Sequence, residues 1–381
     1  MTEQTISPQR AVGDVHLVGS LPFADAESAF HSAASGLGGR AAGLPDGEPG
    51  ERKFWVNYLP QFIFSNHPDL TPIHIPDAGG PEAQPDKEPD GVRPGAAQAY
   101  WWTFRINDDV DELVLDLGYG RYALESWETF KRLRDEGTIP AGTRFQVSLP
   151  ATVSAIDGFF ESADDRERAR RAYEKAIAKN VQEILAVVPG DDILFQIDFC
   201  LEVIDLAVGD ETWYPFWEDH TYAEKLNRHL TELTRLEDVF PEEAPLGIHL
   251  CFGTWGGWPM VDMTDLSLCV ELSNKAVAMA HRHLDFIHMP VDVTSEDAFY
   301  APLANLDVGT TKIYLGLVHF HEETNDAFSA RVATAQKYLS DFGVAAVCGY
   351  GRANPDEAGD IFKMHVECAE LLHQHQHQHQ R

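Results

Sequence analysis

Short apolar runs alternate along this chain with longer segments whose apolar positions recur every three or four residues. The runs are Val15–Ser20, Thr143–Pro150, Ile193–Asp198, Gly247–Gly253, Asp285–Val291, Lys312–Val318 and Ala345–Gly351. Each has the length of a strand buried on both faces, where alternation is lost. The intervening segments predict helices over 25–35, 127–133, 164–188, 222–236, 265–283 and 329–342, with a closing helix after the last run. In the 164–188 segment Tyr173, Ile177, Val181, Ile184 and Val188 fall on one face. Strand–helix alternation without repeats is the pattern of a parallel α/β protein. The chain predicts about eight strands, with polar residues at nearly every strand end, and a (β/α)8 TIM barrel accounts for both features. A doubly wound sheet is the alternative, but no Gly-x-Gly-x-x-Gly turn follows the first strand.

Two stretches break the alternation. Gly43–Arg52 reads as a Gly/Pro-rich turn bearing acids, leading into the aromatic segment Phe54–Tyr58. Residues 66–98 are rich in Pro, Gly and Asp, and read as an insertion or lid on a single barrel domain spanning 1–372. The alternating His/Gln tail at 373–381 is expected to be an affinity tag.

Composition narrows the partners. With 61 acidic against 29 basic residues and a formal charge of -32, the surface is unsuited to nucleic acid or an anionic membrane. The 44% hydrophobic content allows a sizeable core, and no window has the length of apolar sequence a transmembrane helix needs. The start of the chain is polar, without the apolar stretch of a signal peptide, so the cytoplasm is the expected location. Five cysteines fit reduced thiols there, and Cys200, Cys269 and Cys368 read as small core residues.

The remaining two cysteines carry chemistry. In Gly247-Ile248-His249-Leu250-Cys251-Phe252-Gly253 the imidazole of His249 and the thiol of Cys251 lie two residues apart, so on a strand they project to the same side. They are good zinc ligands in need of partners. Ala345-Ala346-Val347-Cys348-Gly349 is a second apolar run ending in cysteine and glycine, which makes Cys348 the best third ligand. A buried cysteine beside a hydrogen-bonded histidine is the structural alternative.

Taken in order, the strand ends resemble those of the catalytic barrel of cobalamin-independent methionine synthase and its shorter relatives, over roughly residues 12–370. Val18-Gly19-Ser20-Leu21-Pro22 is similar to the family's first-strand Ile-Gly-Ser-Phe-Pro, Gly47-Glu48 to its Gly-Glu, and Gln196-Ile197-Asp198 to its Gln-Ile-Asp. The resemblance implies a zinc-dependent barrel that activates a thiol for alkyl transfer. It implies zinc ligation by His249, Cys251 and Cys348, and acid/base work by His321. It also implies substrate contacts by Ser20, Glu48 and Asp198, with the acids binding an ammonium group.

The chain departs from that pattern in two ways. The family's remaining protein ligand is a glutamate at the end of the sixth strand, and the corresponding run Phe286-Ile287-His288-Met289-Pro290 has none. Glu271 lies inside a helical segment and reads as a solvated helix residue, which leaves three protein ligands and an open position. Full-length members also carry an additional N-terminal barrel that helps bind the folate donor. Its absence here argues against ordinary folate-dependent methionine synthesis. Trp255 and Trp258 beside the ligands would wall an apolar pocket, and His319 and His288 would point to the barrel mouth as further substrate contacts.

The expected function is therefore a zinc-dependent transferase of alkyl groups, methyl first among them. It would activate a small thiol as a zinc thiolate, with Asp198 and His321 as the catalytic side chains. A metal-dependent lyase or hydrolase acting on a C–S or C–O bond of a small substrate, aromatic ones included, is the alternative. A non-catalytic ligand-binding barrel is the second. The expected partners are a small-molecule thiol and an alkyl donor, and self-association is left open.

Overall fold

A computed structural model describes residues 14–76, 101–214, 216–218, 221–254, 258–319 and 325–379. Ten strands occur among them: β1 (Val15–His16), β2 (Gly43–Pro45), β3 (Leu70–His74), β4 (Thr103–Ile106), β5 (Arg144–Pro150), β6 (Ile193–Phe199), β7 (Leu246–Leu250), β8 (Phe286–Pro290), β9 (Lys312–Val318) and β10 (Gly343–Ala346). Eight of these form one parallel sheet in the order β1-β10-β9-β8-β7-β6-β5-β2. Isolated parallel bridges Val15↔Ala41 and Ser20↔Gly47 bring its two edges together, so the sheet is a nearly closed (β/α)8 TIM barrel.

Every residue of β6, β7 and β8 is buried. Helices cover the outside and side chains fill the inside, which is why these strands read as unbroken apolar runs rather than alternating ones. The helices pack in sequence around the barrel, Ala26–Leu37 against Tyr119–Asp135, that one against Ala163–Leu185, and Ala358–His379 back against Ala26–Leu37. Tyr173, Ile177, Val181 and Ile184 are buried on the Ala163–Leu185 helix, as its periodicity predicts. Asp25 caps the first of these helices, accepting from the Ser28 N–H at 2.7 Å.

The barrel interior is layered. At its N-terminal end Leu194, Phe286, Tyr314 and Ala345 form a small apolar cluster. Glycine opposite the rings makes that layer fit: a Cβ on Gly247 would lie 2.2 Å from the Phe286 ring. Toward the C-terminal end the inward residues turn polar, with Gln196, His249 and His288 all buried. The chemistry of the chain is therefore concentrated at one mouth of the barrel.

Several boundaries differ from the sequence reading. Gly43–Pro45, read as part of a turn, is a barrel strand paired with β5. Glycine and proline hide its propensity, and pairing decides it. The last strand begins at Gly343 and ends at Ala346, so Cys348 stands beyond it, and the preceding helix ends at Ala335. Within 66–98, Leu70–His74 pairs antiparallel with Thr103–Ile106 as a two-stranded ribbon. Residues 77–98 of that stretch lie outside the described residues. The closing helix runs through the His/Gln repeats to His379. No helix among the described residues is long and apolar enough to cross a membrane.

Candidate metal centre

β7 ends at Leu250, and the alternation of the strand sends His249 and Cys251 into the barrel mouth together. The loop after β10 brings Cys348 to them. Cys251 Sγ is 3.6 Å from Cys348 Sγ, which is 3.7 Å from His249 Nε2. The three are the one His/Cys/Asp/Glu cluster of metal-binding spacing among the described residues. With Zn–S near 2.3 Å and Zn–N near 2.0 Å, tetrahedral ligation places sulfur about 3.8 Å from sulfur and about 3.6 Å from nitrogen. The donor set and its spacing fit zinc. The Cys251 thiol is pushed well up by its neighbour Cys200 and by burial, with Cys348 opposing. Cys348 is pushed well up by its hydrogen bond with Cys251 and by burial, and a divalent cation would reverse that effect.

A cleft of about 780 Å³, counted out to open solvent, lies over these ligands. Ser20, Glu48, Asp198, Cys200, Thr254 and Arg352 share its lining with all three. Ser20 is fixed from the Cys348 side, its carbonyl accepting from the Tyr350 N–H at 3.0 Å. Gly349 packs so closely on it that a Cβ would lie 2.3 Å from Ser20 Oγ. Glu48 has a φ of 53°, the left-handed region a non-glycine residue rarely enters. The turn is held by Asp46, whose carboxylate accepts from the Glu48 N–H at 2.9 Å and from Arg52 at 2.7 Å. Strain maintained in this way aims the Glu48 carboxyl into the cleft.

Asp198 is positioned from inside the barrel. His16 Nε2 meets Gln196 Oε1 at 2.6 Å, and the Gln196 amide donates to Asp198 Oδ1 and to the Val18 carbonyl, both at 2.7 Å. Burial pushes Asp198 up to about 8. It also pushes Glu48 well above the carboxylate range, Asp198 adding to the effect and Arg52 opposing it. Two desolvated carboxyls therefore face one cleft, which favours a cationic ligand between them.

Of the other residues named from sequence, His288 is fully buried behind His249 rather than in the cleft lining. Its Nδ1 lies 2.7 Å from His249 Nδ1. His319 and Trp258 pack edge to face with centroids 5.5 Å apart, and neither is among the described lining residues. Trp255 and His321 lie outside the described residues. Glu271 sits on the outer helix Ser267–Met279 and accepts from the Tyr222 hydroxyl at 2.6 Å, away from the ligands.

Cys200, read as a core residue, is buried but lines the cleft together with Cys251. The signal was available: Gln196, Asp198 and Cys200 follow the same two-residue alternation as His249 and Cys251. Arg352 is exposed at the lip and donates to the Thr254 carbonyl at 3.3 Å and to its hydroxyl. No sequence pattern marks it, because the fold of the loop after Cys348 brings it there.

The buried titratable groups give stability a definite pH dependence. Burial raises Asp198 and Glu237 to about 8 and Glu202 to about 7, and lowers His16 to about 3 and His365 to about 4. Between the unfolded carboxylate value near 4 and those raised values, the folded state holds more protons than the unfolded one, so these carboxyls lower stability as pH rises. The histidines act oppositely, but only up to the unfolded value near 6.5. Unfolded histidine is still half protonated at pH 6.5, so the carboxyls dominate from about pH 7 to 8. The unfolding free energy of metal-stripped protein, and with it the urea midpoint, is expected to fall over that range, the free energy by of order 1 kcal/mol per pH unit for each such group. Asp198→Asn should flatten the slope. A flat or rising midpoint in the wild type would mean that these carboxyls are already ionised when folded.

No protein-family model and no curated protein matches the chain. Solved structures do. The fold is similar to that of a B12-independent methionine synthase from a Shewanella species, solved in complex with selenomethionine. That match has 13% identity and a TM-score of 0.58 over 96% of this chain and 99% of the other. It is also similar to a candidate vitamin-B12-independent methionine synthase from Listeria monocytogenes, at 15% identity and a TM-score of 0.50, over 91% of this chain and 86% of that one. At such identities the likeness is one of fold, and at that level it agrees with the resemblance read from the strand ends.

Proposed function

We propose that the cleft is the active site of a zinc-dependent alkyl transferase, methyl first among the groups moved, whose acceptor is a small thiol bearing an ammonium group. The observation that carries this reading is the spacing of His249, Cys251 and Cys348, three donors set for four-coordinate zinc in the lining of one cleft. Zinc held by these residues supplies the positive charge that lowers a thiol's pKa from its free value of about 8.5 and favours the nucleophilic anion. Glu48 and Asp198 bind the ammonium group and so orient the acceptor. Arg352 at the lip faces an anionic group of either substrate. The acceptor sulfur attacks the alkyl carbon as the bond to the donor heteroatom breaks. That heteroatom leaves with the electron pair and takes a proton, for which His321 is the proposed donor. Alignment of the two substrates provides much of the rate. The Shewanella protein, alike in fold, was solved with selenomethionine, a ligand of the same amino-acid class.

The test is two-substrate turnover by zinc-loaded full-length protein. L-homocysteine is supplied with methyl sulfonium, N-methyl heterocycle and aryl methyl ether donors. S-methyl product should form only when thiol and donor are both present. Breakdown of any one of these compounds alone would instead establish a lyase or hydrolase. Failure of every pair would count against transfer.

A further inference from the structure

We propose that His288 is a positioning residue that fixes His249 in its Nδ1–H tautomer and so presents the bare Nε2 to the two thiols. The argument starts at a carbonyl. His288 Nε2 lies 2.9 Å from the Ala346 oxygen, and a carbonyl oxygen only accepts, so this nitrogen carries the proton. The other nitrogen, Nδ1, faces His249 Nδ1 at 2.7 Å. A hydrogen bond at that distance needs one proton between the two nitrogens. A second proton on His288 would make it a cation, at 0% exposure and with the His16 and His249 rings 6.0 and 4.8 Å away. The proton therefore belongs to His249, which leaves its Nε2 lone pair directed at Cys348 Sγ, 3.7 Å away. An imidazole that ligates a metal through one nitrogen needs the other to be a donor with a fixed partner.

The same bridge sets the spacing of the ligands. The ladder between β9 and β10 shifts register between Val344 and Ala346, and the Ala346 carbonyl at that step receives the His288 N–H. Ala346 is two residues before Cys348, so His288 ties the strand of His249 to the end of the strand that leads into Cys348. Sequence reading placed His288 at the barrel mouth as a substrate contact. In the fold it stands one layer deeper and acts through His249.

The purpose of this bridge rests on the zinc reading, but the tautomer does not, and the experiment separates them. Full-length, metal-stripped protein labelled with 15N-histidine is examined by long-range proton–nitrogen correlation, with His288→Asn used for assignment. His249 is expected to be protonated on Nδ1 and His288 on Nε2. A His249 protonated on Nε2 would overturn the inference whatever the metal content. Zinc affinity is then measured by chelator competition, with the Cys251→Ser/Cys348→Ser protein, which carries the same histidine tail, as background. His288→Leu, which cannot accept from His249, should bind zinc 10- to 100-fold more weakly. His288→Asn places an oxygen where Nδ1 stood and should stay within a few-fold of wild type. Equal affinity for His288→Leu and wild type would overturn the inference. If His288→Leu does not fold, the wild-type tautomers and the His288→Asn affinity decide. If wild type binds no more zinc than the background protein, the zinc reading fails and the spectrum alone decides the tautomer.

Discussion

Replacing Cys251 and Cys348 together by serine is expected to remove about one zinc per chain and to lower thiol-dependent turnover by at least about a thousand-fold, roughly 4 kcal/mol of barrier. A serine hydroxyl has nearly the volume of a thiol but does not give up its proton at neutral pH, so the fold should persist while two of three donors are lost. Elemental analysis of both full-length proteins reads the site by difference, because the histidine tail is common to them. Cys200→Ser is the informative control. Cys200 lines the cleft together with Cys251 but lies outside the cluster of mutual metal-binding spacing, so its replacement should leave zinc in place. Loss of zinc in Cys200→Ser would make it a ligand and close the open position. Equal zinc in wild type and the double variant would remove the metal centre from this barrel mouth.

Glu48→Gln and Asp198→Asn should each weaken binding of an ammonium-bearing thiol by about 10- to 100-fold, the scale of one charge-assisted hydrogen bond at a buried site. The same thiol lacking its amino group should bind both variants as it binds wild type. The two losses should not add, because both carboxyls serve one ammonium. Proton release supplies an independent check. Burial holds Asp198 at about 8 in the free cleft, so it is largely protonated at pH 7, and pushes Glu48 in the same direction, well above its ordinary range. An incoming ammonium favours their charged forms and lowers those values, so binding expels protons and affinity rises as pH rises toward 8. Calorimetry in two buffers of different ionisation enthalpy measures the protons directly. Asp198→Asn should release fewer. Binding without proton release, or equal affinity for the thiol with and without its amino group, would show that these carboxyls do another job.

Charge and composition were the coarsest guides and bore only on which partners to expect. Hydrophobic pattern went further. β5, β6, β8 and β9 fall almost where apolar runs placed them, because a strand buried on both faces has no polar positions to blur it. β2 was hidden, since a Gly-Leu-Pro strand is made by its neighbour β5 and not by its own preference. At the site, the sequence by itself determined what local geometry can carry: His249 with Cys251 through the strand alternation, and a strand end for Asp198. Only the tertiary structure decided the rest. It brought Cys348 to 3.6 Å from Cys251 and put Cys200 and Arg352 on the cleft. It also moved His288 from the mouth to the layer behind His249. The period of a strand fixes which side a residue faces, but its depth in a barrel depends on the stagger of eight strands against one another, and no single strand encodes that.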